Sequence, residues 1–181
     1  TVTTILHLFF VFCAVFYQLI NGYTRLELDV YLLNFLYDDL PIYIIWSGVM
    51  IMIQVVMNNK YIGYFISILV IFLWNILLSI FDVEINILSI GAGPSITYSD
   101  MNGFGPGLTG ALWFNAYWIL FALISLLIAG ALWNRGVLSP LKDRIMHARK
   151  QLPKSYGILL ITLTVLWLFV AGFVYYNTQI L

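Results

Sequence analysis

Five stretches of this sequence contain no Asp, Glu, Lys or Arg over the length a helix needs to cross a bilayer. They are Val2–Ile20, Leu40–Met57, Tyr61–Ile80, Ala111–Trp133 and Ile158–Tyr176. A hydrocarbon layer of about 30 Å takes about 20 helical residues, and one charge at its centre costs about 2.5–3.5 kcal/mol on insertion scales. Helices are the form expected, because lipid offers no partner to unpaired backbone groups. Membrane strands would alternate over about ten residues, and these runs do not. Composition agrees: 62% of residues are hydrophobic and 9% charged, with mean hydropathy +0.98. A soluble domain is about half apolar and a quarter charged, and its exterior here would have to be Leu, Ile and Phe. The sequence therefore predicts an all-α integral membrane fold, a bundle of about five transmembrane helices read as a single domain over residues 1–181.

The connections give the bundle a direction. Asn58-Asn59-Lys60 is short enough to make the second and third spans a tight hairpin. The segment 134–157 holds Arg135, Lys142, Arg144, Arg149, Lys150 and Lys154 against Asp143 alone. The segment 21–39 holds Glu27, Asp29, Asp38 and Asp39 against Arg25, and 81–110 holds Asp82, Glu84 and Asp100 with no base. Seven of the eight basic residues thus fall on one side and seven of the eight acids on the other. The positive-inside rule makes the basic side cytoplasmic, with the N-terminus inside and the C-terminus outside. Interfacial aromatics match these edges: Tyr175 and Tyr176 outside, Tyr156 and Trp133 inside, and Trp113, Tyr117 and Trp118 at the outer end of the fourth span.

Three non-spanning pieces are expected to have structure. Leu26, Val30, Leu33 and Tyr37 recur at helical spacing, which predicts an amphipathic helix lying on the outer surface. Ser139 suits an N-cap and Pro140 a first helical residue, and Leu141, Ile145, Ala148 and Leu152 then share a face until Pro153. This cytoplasmic 139–152 helix is either pressed on anionic lipid or a docking element for a partner. The outer segment from Gly91 to Gly107 is rich in glycine and proline, with Asn102-Gly103 a strong turn signal; it reads as a structured cap. Before it, Phe81–Ile87 alternates like a short strand.

Catalytic chemistry is hard to place in this chain. It has two histidines, His7 and His147, and one cysteine, Cys13. No H-E-x-x-H, C-x-x-C, G-x-S-x-G or phosphate-loop motif occurs, so no catalytic, cofactor-binding or metal residue is expected. His7 is the single ionisable group inside a span, and it reads as a satisfied or interfacial histidine near the cytoplasmic end. Asp100 and Asn102 do not make a calcium loop, because Ala111 stands where the twelfth-position acid belongs. No basic stripe suits nucleic acid. Polar and small residues inside the spans read as packing features: Asn115, Ala122, Ser125 and Ala129 on one face of the fourth span, Gly63 and Ser67 then Asn75 and Ser79 on the third, and Gln54 on the second.

The string Tyr98-Ser99-Asp100-Met101-Asn102-Gly103-Phe104-Gly105, followed by Leu112-Trp113-Phe114 and Tyr117-Trp118, resembles a family of bacterial multi-pass proteins. In that family an ABC-exporter-type permease region is fused to a zinc metallo-aminopeptidase domain of the alanyl-aminopeptidase type. The runs Val56–Gly63 and Tyr175–Thr178 are similar too, and the resemblance extends from about Glu27 to the end. It implies a permease segment in the bacterial inner membrane, preceding an extracytoplasmic peptidase, with further transmembrane helices in the whole protein. It also implies a separate cytoplasmic ABC ATPase, for which the 139–152 helix is the candidate contact through Lys142, Arg149 and Lys150. The chain begins with Thr1, as a piece of a longer protein would. The family's zinc-binding H-E-x-x-H and its Gly-x-Met-Glu-Asn motif have no counterpart here, so zinc is expected only in the missing domain. The alternative is a passive anchor for that peptidase, with no transport role.

Overall fold

The computed structural model describes residues 2–24, 26–80, 86–96, 98–99, 101–105, 107–133 and 140–179. In chain order they form α1 (Val2–Ile20), α2 (Leu28–Asn34), a π turn (Phe35–Asp39), α3 (Leu40–Met57), α4 (Lys60–Ile80), a 3-10 turn (Asn86–Leu88), α5 (Gly107–Leu132), α6 (Leu141–Gln151) and α7 (Lys154–Gln179). No strand occurs among the described residues. Five helices are long and apolar enough to cross a membrane. Most of the expected Phe81–Ile87 strand lies outside the described residues, and its final part belongs to the 3-10 turn.

Helix α5 is the centre of the bundle. It packs on α3 and α7, α3 also packs on α4, and α6 rests against the lower part of α5. Ala122, Ser125 and Ala129 are buried on α5, as their common face predicts. A Cβ placed on Gly48 of α3 would stand 2.9 Å from the Cβ of Ala122, so the two backbones meet at van der Waals distance there. Gly63 of α4 makes a second close approach: its Cβ would lie 2.7 Å from Gln54 Oε1 on α3. Small residues let helices associate where lipid removes the hydrophobic drive between them.

Two expectations change. The first outer segment is helical, but α2 runs through the π turn into α3 and forms one helix from Leu28 to Met57. Pro41, in the first turn of α3, lacks an N–H and crowds the carbonyl four residues back. A π turn at that place admits one extra residue and carries the helix past the proline. The second change concerns aromatics. Tyr117 and Trp118 are buried with Ile45, Phe114, Val170 and Val174 in the core, and Tyr117 stacks on Trp167 at 5.5 Å. Trp113, by contrast, keeps an exposed edge while packing on Phe173 at 4.5 Å.

The cap is built as its turn residues require. Ser99 and Gly103 exchange backbone hydrogen bonds of 2.8 and 2.7 Å around Asn102-Gly103, with Gly103 at φ +57, a conformation that glycine adopts without a Cβ clash. Phe104 packs edge-on against Tyr98 and Tyr37 at 5.4 and 5.8 Å. Trp74 Nε1 donates to Leu88 O at 2.8 Å, tying the 3-10 turn to α4.

Candidate functional site

Among the described residues, a buried polar arrangement lies at the end of the bundle where α3 and α5 stop. An α-helix leaves its last four carbonyls without N–H partners. Asn58, at φ 52, closes α3 in the left-handed conformation with its N–H on Gln54 O. Val55 and Val56 are among the carbonyls left over. Arg144 answers them from α6: Nη1 donates to Val55 O at 2.6 Å and to Leu132 O at 3.3 Å, and Nη2 donates to Val56 O at 2.7 Å. One planar guanidinium therefore clasps the C-terminal ends of two long apolar helices.

The electrostatics explain why a cation that is only 4% exposed tolerates burial without a carboxylate. Each helix C-terminus acts as about half a negative charge, so two of them together oppose roughly one positive charge. The sole contact at salt-bridge distance among the described residues is elsewhere, between the His7 and Asp39 side chains. Arginine suits the task better than lysine because its rigid fork reaches separate acceptors at once. Its Nε faces no described partner. Around the clasp lie a cleft of about 350 Å³ lined by Gln54, Asn59, Lys60 and Trp133 and a smaller one of about 180 Å³ reached by His147 and Gln151. The His147 and Gln151 side chains contact each other at 3.0 Å.

Helix α6 itself spans Leu141–Gln151, with Pro140 at its N-cap rather than at its first helical position; Ser139 lies outside the described residues. The face predicted to be apolar exists, but it is not the face that docks. Arg144 points inward, while Leu141 and Ile145 stay 40% and 51% exposed, about a quarter turn round the helix. Lys142, Arg149 and Lys150 are exposed as expected. Sequence reading counted Arg144 among the loop charges and missed its role. The available signal was its place four residues before Ala148, on the inward edge of the helix.

At the other end, Asn115 Nδ2 donates to Tyr37 O at 2.7 Å. That carbonyl lies four residues before Pro41, which has no N–H to give it. Asp38, Asn115 and the Gly91–Ile96 segment of the cap border a cavity of about 320 Å³. His7 Nδ1 is 3.5 Å from Asp39 Oδ2, and its ring lies 4.4 Å from that of Phe35. The charge pattern had put His7 near one membrane face and Asp39 near the other. The contact brings them to one level, so both placements cannot hold. Val2 then reaches about 8 Å beyond His7 along its axis, while Met57 lies about 27 Å beyond Asp39. Helix α1 is offset against α3 rather than aligned with it.

The described residues contain no group of three His, Cys, Asp or Glu able to hold a metal ion. Asp100 and the side chain of Asn75 lie outside them. Comparison with known protein families, curated proteins and solved structures gave no match to this chain.

Proposed function

We propose that this chain is the membrane-embedded, permease-type part of a multi-pass transport protein, and that α6 couples a cytoplasmic ATPase subunit to α3 and α5. The Arg144 clasp carries the reading. A short helix fixed by one buried side chain to the ends of two spans passes a push on its exposed face to both. Transmission of this kind needs a rigid element that two sites bias, and hydrogen bonds to a charged donor are the strong ones. The excess of basic residues at the α6 end favours the cytoplasm for that end. A peptidase, where the resemblance puts one, would follow α7 on the opposite face.

The test uses the outward lysines and leaves the clasp intact. Lys142→Glu with Lys150→Glu is expected to abolish co-purification of an ATPase subunit from native membranes, while the protein remains folded. Unchanged recovery would remove the coupling role and favour the passive anchor instead.

A further inference from the structure

Between the lower ends of α5, α6 and α7 runs a groove of about 570 Å³, within the size range of small-molecule sites. Its walls are apolar, with Ile128 and Leu132 from α5, Ile145 from α6 and Leu160 from α7. Its rim carries two cations, Arg149 and Lys154, and neither forms an ion pair with a described residue. Tyr156 keeps the groove's inner wall in place, because its hydroxyl donates to Leu127 O across to α5. Gly157 leaves the floor open: a Cβ there would meet nothing within 4 Å. Lys154 also begins α7, whose N-terminal end favours an anion.

Apolar walls beneath two cations that pair with no described acid match one chemistry, an acyl chain attached to a phosphate. We infer that this groove binds an anionic phospholipid, with a chain against Ile128, Leu132 and Leu160 and the phosphate between Arg149 and Lys154. Basic pockets between membrane helices hold such headgroups by the same combination. A free anion would gain nothing from the apolar walls, and a neutral lipid nothing from the rim. The exposed flank of Leu141 and Ile145 would then rest on the same layer of lipid. This inference relies on the membrane placement proposed above and not on a transport role.

The full chain would be reconstituted in nanodiscs of phosphatidylcholine and phosphatidylglycerol in equal parts, and the lipids retained after extraction read by native mass spectrometry. Phosphatidylglycerol should be retained in roughly tenfold preference. Arg149→Gln with Lys154→Gln should remove the preference, and Lys142→Gln with Lys150→Gln should leave it. Gly157→Leu changes no charge and fills the floor, so it should lower retention as well. Equal loss from both charge pairs, or indifference to Gly157→Leu, would reduce the effect to diffuse attraction and overturn the site. Displacement by inorganic phosphate would assign the rim to a free anion, and a disulfide-linked dimer of Gly157→Cys in a Cys13→Ala background would assign the groove to a second copy; either outcome overturns it. A chain that inserts without preference loses the site alone, whereas one that never enters the nanodisc loses the membrane reading too.

Discussion

Helices α1 and α5 are close to equal in hydropathy, and each is long enough to cross a bilayer. Yet 33% of the membrane-length window of α5 is buried inside the protein, against 0% for α1. The difference lies in side-chain size rather than in polarity. The inward face of α5 reads Ala122, Ser125, Ala129, and Gly48 of α3 meets it there at backbone distance. Helix α1 instead presents Phe9, Phe10, Phe12, Phe16 and Tyr17, all more than half exposed. Apolar character determines that a helix can enter lipid, whereas small residues determine which helices touch.

The largest loss of stability is expected at the clasp. Arg144→Leu strands carbonyls of both α3 and α5 and should cost about 3 kcal/mol, since hydrogen bonds to a charged group contribute about 1.5–3 kcal/mol. Thermal unfolding in detergent would report it, with Arg144→Lys recovering part. A loss below about 1 kcal/mol would mean that the spans hold together without α6. Next in size is the contact itself. Gly48→Leu overpacks against Ala122 and should cost about 2 kcal/mol, while Phe12→Ala, a change in volume of similar size, should stay within about 0.5 kcal/mol. Similar losses from the two would show that α1 is packed after all.

The smallest effect concerns the offset of α1 and involves no change in stability. His7→Cys with Asp39→Cys, in a Cys13→Ala background, should form a disulfide on mild oxidation of intact membranes. Failure to link, together with labelling of His7→Cys from the α6 side, would instead align α1 with α3 as the charge pattern had it.

Much of this architecture was legible in the sequence because charge and hydropathy are one-dimensional. Five long helices, the hairpin at Asn58-Asn59 and the turn at Asn102-Gly103 each follow from neighbours in the chain. The face of α5 was legible for the same reason, as a period of small residues. What was not legible depends on partners distant in sequence. Tyr117 and Trp118 sit at span-edge positions, and only residues of other helices, Ile45 of α3 with Trp167, Val170 and Val174 of α7, make them core. Arg144 looks like any other basic residue of its loop until two helix ends arrive to receive it. The continuity of α2 with α3 was hidden because Asp38 and Asp39 read as the end of an apolar run, whereas backbone hydrogen bonding disregards charge and runs through them.

The π turn at Phe35–Asp39 carries a consequence for that long helix. Leu40 donates back five residues, to Phe35 O, so one residue is present beyond what an α-helix would hold. Each residue of an α-helix advances the facing direction by about 100°. The helix therefore changes phase in mid-course, and α2 looks toward a different neighbour than it would on an unbroken lattice. A single-residue deletion there would act as a dial, turning everything above it by nearly a third of a circle while leaving composition, charge and hydropathy almost untouched.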